Sequence, residues 1–240
     1  MSSVSIKNLV YTYPDNTTAL SGISFSVSQG ESLGIVGANG AGKSTLVNHL
    51  NGYILPQHGS IVINGTELTK KSAEEIRKVV GVVFQNPDDQ LFMARLYDDI
   101  VFGPQNLGLR ADEIAQKTEK LLRDFNLWEL REKPPSHLSQ GQKRFAALAA
   151  VLVMEPSILV MDEPTSDLDP RNRRKLITLL NSLPITRITV SHDLDFIYDT
   201  CERTIVLADG KVVADGLTSA LLSDNSLLQR HGLELPIKLQ

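Results

Sequence analysis

Eight consecutive residues, Gly37 to Ser44 (GANGAGKS), fit the pattern G-x-x-x-x-G-K-[ST] at every position and stand between an apolar run and an amphipathic stretch. Leu33 to Val36 reads as a buried strand, and Ser44 to Leu50 places Leu46, Val47 and Leu50 on one helical face. Strand, glycine-rich turn and helix in that order let backbone N–H groups converge on an anion without Cβ clashes. The helix N-terminus adds its partial positive charge. The chemistry implied is nucleotide binding, with Lys43 reaching the β and γ phosphates and Ser44 offering a hydroxyl to Mg²⁺. An ordinary glycine turn before a helix is the plain alternative, and the flanking strand and helix weigh against it.

The rest of the chain bounds what such a site can serve. At 240 residues and 42% hydrophobic content, the chain has enough material for a proper core. Lys and Arg total 24 against 28 Asp and Glu, and a net charge of −4 argues against a general nucleic-acid binder. Cys201 stands alone, in a helix-like stretch before an apolar strand, so a buried structural thiol in a reducing compartment is expected. The opening MSSVSIKNLVYTY has no charged leader followed by a long apolar stretch, and the run Phe145 to Met154 is too short to cross a bilayer. Any membrane role is therefore expected to pass through a partner.

Short apolar runs at Ser5 to Val10, Ile23 to Val27 and Ile61 to Ile63, separated by turn signals at Pro14-Asp15, Gln29-Gly30 and Asn64-Gly65, suggest antiparallel strands. Val79 to Phe84, Ile158 to Met161, Arg187 to Val190 and Thr204 to Leu207 are candidate buried strands alternating with helices, the pattern of a parallel α/β sheet. Between Gln85 and Glu155 the pattern turns mostly helical, including Ala111 to Phe125 and Ser139 to Met154. This block is expected to be a helical subdomain inserted between core strands. Thr218 to Leu222 is helix-like and precedes a polar stretch with HGLELP.

A second constellation, Ile158 to Pro164 (ILVMDEP), is four apolar residues and two acids, as expected of a strand whose C-terminal end opens into a ligand crevice. Asp162 is placed to hold Mg²⁺ through water, and Glu163 to orient and polarise an attacking water. Transfer of a γ-phosphoryl group rests on such positioning and electrostatics. A solvated acidic turn is the bland alternative, and hydrolysis is favoured over passive binding because both motifs are present. Leu138 to Gln142 (LSQGQ) immediately precedes a helix. Ser139 and Gln142 stand in capping-box spacing, so a second phosphate clamp and an ordinary N-cap are both open.

GANGAGKST, Gln85, LSQGQ, ILVMDEP, SDLD and His192 occur in the order and approximate spacing of an ABC transporter ATPase subunit, which the chain resembles over nearly its whole length. It is similar in more detail to the ATPases of energy-coupling-factor importers, particularly the cobalt and nickel type, through FQNPDDQLF, DDIVFGPQNLGL, DEPTSDLDPR, SHDLDFI and HGLELP. The resemblance implies an α/β fold: a P-loop NTPase core of ABC ATPase type with an antiparallel β subdomain and an inserted helical subdomain. Residues 1–85 and 156–216 would form the nucleotide-binding core, 86–155 the helical subdomain and 217–240 a C-terminal tail of one ATPase domain. Two such subunits, identical or paralogous, would face each other head to tail, each ATP lying between the phosphate loop of one and the signature of the other.

Carried over residue by residue, the resemblance assigns ATP contacts to Gly37, Asn39, Gly40, Ala41, Gly42, Lys43, Ser44 and Thr45. Ser139, Gly141 and Gln142 would act from the opposite subunit. Tyr13 of YTYP looks like the aromatic that stacks on adenine, with Tyr11 as the alternative. Gln85 would bind Mg²⁺ or the attacking water beside Ser44 and Asp162, and His192 would contact the γ-phosphate and act with Glu163, Lys43 and Gln85 in catalysis. Asp169 would link the two active sites, and Asp167 looks like a solvent-side variant. Gln140 stands where the family usually has glycine, and Phe145 where an arginine is common. Phe145 is expected to pack against the core while Lys143 and Arg144 take over polar contacts.

The function implied is an ATP hydrolase, peripheral on the cytoplasmic face of the cell membrane. It would drive a transmembrane scaffold and a substrate-binding membrane subunit, with cobalt or nickel as first choice of cargo. A vitamin importer of the same architecture and a soluble ABC-type assembly ATPase are the alternatives. Asn86 to Phe102 is expected to receive a helix of the scaffold through Leu91, Phe92 and Met93, unless these fill the helical subdomain's own core.

Overall fold

Alternating apolar and polar residues at the start fold into a long antiparallel pair. β1 (Ser2–Thr12) and β2 (Thr18–Ser28) bury Val4, Ile6, Leu9, Leu20, Ile23 and Val27 between them and the body of the protein. The structure, a computed structural model, describes residues 2–240. β3 (Ser32–Val36) is buried at every position, as a strand covered on both faces must be, and runs through the glycine-rich turn into α1 (Lys43–Leu50). β4 (His58–Ile63) returns to β1, and β5 (Thr66–Glu67) completes a sheet in the order β2-β1-β4-β5.

α2 (Ala73–Val79) leads directly into β6 (Val80–Val83). The apolar run Val79 to Phe84, expected as one strand, is thus divided. Val79 closes α2, Phe84 lies beyond the strand, and a run this short has no periodicity to separate helix end from strand start. α3 (Leu96–Asn106), α4 (Ala111–Asp124) and α5 (Gln140–Leu152) follow as the helical block, with Leu96, Ile100, Leu122, Leu127, Phe145 and Leu148 in one apolar cluster that also takes in Met161. β7 (Ile158–Asp162), α6 (Pro170–Ser182), β8 (Thr186–Val190), α7 (Leu194–Thr200) and β9 (Arg203–Ala208) continue the α/β alternation. β10 (Lys211–Leu217), α8 (Thr218–Leu221) and α9 (Asn225–Arg230) come last.

The second sheet has the order β10-β9-β3-β8-β7-β6, and its neighbours from β9 to β6 pair in parallel. β10 lies antiparallel on the β9 edge, with half its side chains in solvent. Register places the C-terminal ends of three strands together: Ile35 of β3 lies opposite Val190 of β8, and Asp162 of β7 opposite the same Val190. The segments leaving those strands begin at Gly37, Glu163 and Ser191, so three distant stretches of sequence meet at one sheet edge. α1 closes the space below by burying Leu46, Val47 and Leu50 against the strands. Cys201 is free and buried where α7 ends, and burial pushes its thiol up to about 11, as an inert structural thiol requires.

Candidate active site

At that sheet edge a cleft of about 500 Å³ is lined by Tyr13, Asn39, Gly40, Gly42, Lys43, Ser44, Thr45, Gln85, Asp162, Glu163 and His192. Gly37 and Ala41, also in the loop, do not line this cleft. A Cβ on Gly37 would stand 2.2 Å from the Leu207 carbonyl, and one on Gly42, at φ +99°, 2.4 Å from the Ala19 carbonyl. The turn can therefore wrap this closely only with glycine at both positions. Glycine backbone, a helix start and a buried lysine make a cradle that fits a polyphosphate.

One ammonium and two carboxylates meet in the cleft. Lys43 is buried, and its ammonium donates to the carbonyls of Gly37 at 2.7 Å and Ala38 at 3.0 Å. Burial lowers its pKa, while the charges of Glu163 and Asp162 push the other way. Burial raises the pKa of Asp162, the neighbouring Glu163 adds to the rise, and the Ser44 hydroxyl and Lys43 oppose it. One hydroxyl and one carboxylate side by side are a donor set suited to Mg²⁺, which keeps several waters and takes its other oxygens from substrate phosphates.

Glu163 follows Asp162 with φ +47°, a left-handed backbone that costs a non-glycine residue about 1–3 kcal/mol and recurs at functional sites. This bend turns its carboxylate to β8. Oε2 accepts the Ser191 hydroxyl at 2.9 Å, the His192 backbone N–H reaches Oε1 at 3.1 Å, and His192 Nδ1 lies 2.8 Å from Oε2. The His192 ring is otherwise open to solvent, its side chain 68% exposed. Ser191 was legible only as the residue before His192 in SHDLD, and no role for it follows from the sequence.

Gln85 lies two residues beyond the end of β6, and its backbone is held by Arg144. That guanidinium donates to the carbonyls of Phe84 at 2.8 Å, Gln85 at 2.7 Å and Ser166 at 3.4 Å. Lys143 pairs with Asp88 at 2.7 Å, and Phe145 is buried with its ring 5.4 Å from that of Phe125. Phe145 thus belongs to the core and its two basic neighbours take the polar contacts. Tyr13 reaches into the cleft with its hydroxyl 2.9 Å from that of Thr45, whereas Tyr11 packs edge-on between Tyr13 and buried His49.

Ser139, Gly141 and Gln142 lie elsewhere, at a cavity of about 790 Å³ bounded by Phe125, Asn172 and Lys175. Among the described residues, the linings of this cavity and of the phosphate-loop cleft share none. Ser139 caps α5 in a complete capping box: its hydroxyl accepts from Gln142 N–H at 3.3 Å, and the Gln142 side chain accepts from Ser139 N–H at 2.9 Å. Asp169 caps α6, accepting from the N–H groups of Arg171 at 2.8 Å and Asn172 at 2.9 Å. Asp167 is exposed in a left-handed conformation. Arg173, which no sequence pattern singled out, clamps Asp193 through two nitrogens at 3.0 and 3.1 Å, one residue beyond His192.

The ABC transporter family profile matches residues 20–166. An energy-coupling factor transporter ATP-binding protein EcfA of Carboxydothermus hydrogenoformans is 45% identical across 98% of this chain and 88% of its own length. The protein of the same description from Methanosphaera stadtmanae is 43% identical across 96% of this chain and 84% of its own. Among solved structures, cbiO1 from Clostridium perfringens, described as part of the ABC transporter complex cbiONQ, superposes with a TM-score of 0.83 at 36% identity, covering 95% of this chain and 94% of that one. A dimeric ATP-binding cassette in a post-hydrolysis state with ADP and Pi superposes with a TM-score of 0.82 at 26% identity, covering 90% and 98%. The chain belongs to the ABC transporter family, as an ATP-binding subunit that hydrolyses ATP.

Proposed function

We propose that two copies of this chain, or this chain and a paralogue, close on ATP and drive an energy-coupling-factor importer for cobalt or nickel ions. The observation that carries the composite site is the separation of the phosphate-loop cleft from Ser139, Gly141 and Gln142 on one chain. A nucleotide held by Lys43 and the glycine loop meets a signature only when a second subunit supplies it. Tyr13 stacks on adenine, and Asn39 to Thr45 wrap the phosphates. Ser44 and Asp162, with Gln85, would hold Mg²⁺, which would supply charge neutralisation to the phosphates. Glu163 orients the attacking water by accepting a hydrogen bond from it, while His192, fastened to Glu163, faces the γ-phosphate from the open side of the cleft.

Coupling to the membrane falls to the stretch after Gln85. Leu91 is buried in the helical block, so only part of the apolar cluster is free to dock. Phe92 is 63% and Phe102 41% exposed, and they stand edge to face with centroids 5.3 Å apart. Paired exposed aromatics of this kind suit a partner helix. Among the described residues no helix is long and apolar enough to cross a membrane, consistent with peripheral attachment on the cytoplasmic face through a transmembrane scaffold and a substrate-binding subunit. Co-expression with candidate membrane subunits and mass spectrometry of what co-purifies tests the partnership. ATP-dependent uptake of cobalt or nickel, lost in Lys43→Ala, tests the cargo. Uptake of a vitamin and of neither metal would overturn the metal assignment while leaving the ATPase in place.

A further inference from the structure

The HGLELP stretch has no part in the site described above, yet it folds back beside it. α9 ends in a glycine turn, with Gly232 at φ +68° and the Leu233 N–H bonded to the Leu228 carbonyl at 2.9 Å. The reversal sends Leu233 into an apolar cluster with Val36, Leu194, Ile197 and Leu228. Val36 is the residue before the phosphate loop, and Leu194 is two residues after His192. Leu233 therefore shares one apolar cluster with residues that flank both halves of the cleft. Beyond it, the segment forms one wall of a cavity of about 520 Å³ whose other wall is Gly37 to Asn39 and His192.

The segment is fastened at its far end by a side chain of α7. Asp195 accepts from the backbone N–H of Ile237 at 2.8 Å through one oxygen and of Lys238 at 3.1 Å through the other. Lys238 in turn pairs with Asp199 and lies over the Tyr198 ring at 4.6 Å. The attachment thus runs along α7 from its first turn to its last. On its other side the His192 turn is held by Glu163, so the imidazole is suspended between the β7 end and a helix that carries this segment.

We propose that residues 232–240 form a brace that sets the His192 turn against the phosphate loop, with Asp195 as the positioning residue that fastens it. Asp195 touches no part of the cleft and acts only through the segment and α7. A small displacement of His192 would leave ATP binding by the phosphate loop intact and slow the cleavage step, because misplacement of an ångström costs up to about a hundredfold in rate. This inference rests on the reading of the cleft as the ATP-cleaving site. That reading is tested separately by Lys43→Ala, which leaves the segment untouched.

The test uses the full chain with two changes that break the same contact from opposite sides. Asp195→Ala removes the acceptor, and Ile237→Pro removes a donor at the first position of a short helical turn, where proline is tolerated. Hydrogen–deuterium exchange of the peptide spanning 233–240 is expected to quicken in both. For the ATP-hydrolysing dimer, kcat should fall about three- to tenfold with KM for ATP within about twofold, as for an interaction realised in the transition state. The double variant should be no slower than the slower single one, and Asp195→Asn, which keeps one acceptor oxygen, should lose less. Quickened exchange with unchanged kcat would overturn the brace. Unchanged exchange in either variant, or a kcat loss that appears only together with a lowered melting temperature, would overturn it as well.

Discussion

Glu163 and His192, on turns after different strands, are joined twice: His192 Nδ1 lies 2.8 Å from Oε2, and the His192 backbone N–H donates to the same carboxylate. Glu163 leaves β7 in a left-handed conformation and His192 points into solvent, so the pair is kept by its mutual contact and by Ser191. Replacing His192 by Ala preserves the Ser191 and backbone contacts to Glu163 but removes the imidazole. ATP affinity should be kept within about threefold while kcat falls about 10²-fold, the scale of losing one positioned polar contact to the developing charge. Steady-state hydrolysis with nucleotide-binding titration checks both numbers.

Asp162 trades stability for chemistry. Its folded pKa lies above the ordinary 3.8 because of burial and the neighbouring Glu163, so its ionised form opposes folding at neutral pH. That destabilisation is fully present above the raised pKa. It is relieved as pH falls through the raised value and gone below 3.8, where both states are protonated. Asp162→Asn is therefore expected to raise the nucleotide-free melting temperature at pH 7 by about 2–4 °C, an advantage that shrinks towards about pH 4. The same variant should lose Mg²⁺-dependent hydrolysis. Thermal melts across pH check the sign.

Phe145 is buried against Phe125, and the structure makes an arginine at this position costly. The ring is packed on Phe125 inside the apolar cluster, while Arg144 already bonds the Phe84 and Gln85 carbonyls. Phe145→Arg should lower unfolding free energy by about 3 kcal/mol or more, from lost packing and a charge with no partner. Arg144→Ala should cost about 2–4 kcal/mol by leaving those carbonyls unpaired. Urea denaturation measures each.

Gly141 meets Asn172 at close range: a Cβ there would lie 2.6 Å from its amide nitrogen. Asn172 in turn donates to the Asp169 carboxylate at 2.7 Å. Gly141→Ala should therefore push Asn172 off Asp169 and disturb the turn that starts α6. Stability should change by less than about 1 kcal/mol, as for a substitution that asks one half-buried side chain to move, while ATP hydrolysis falls about tenfold or more. Comparing melting temperature with turnover separates the two effects.

The phosphate loop and the Asp162–Glu163 pair were legible because each joins a strand pattern to residue types that chemistry requires in sequence. The alternation of strands and helices was legible too, since buried parallel strands are apolar throughout. α2 escaped notice because its seven residues bury only Ala73 and Ile76. β10 escaped because an edge strand with glycine and an aspartate carries a weak pattern. Within the site, Ser191 and Arg173 were invisible as partners of Glu163 and Asp193. Their roles come from strand register and from the facing of α6 on α7, which no local pattern records.

Composite sites make one demand that a single chain cannot meet. A Glu163→Gln protein retains Lys43, the glycine loop and the signature but lacks the carboxylate proposed to orient water, so ATP should hold two subunits together without being consumed. Size-exclusion chromatography of Glu163→Gln with and without ATP, beside the same chain also carrying Ser139→Arg, measures this directly. An ATP-dependent dimer that disappears with Ser139→Arg is the expected result. A monomer under all conditions, or a dimer indifferent to Ser139→Arg, would contradict a site shared between two signatures and two phosphate loops.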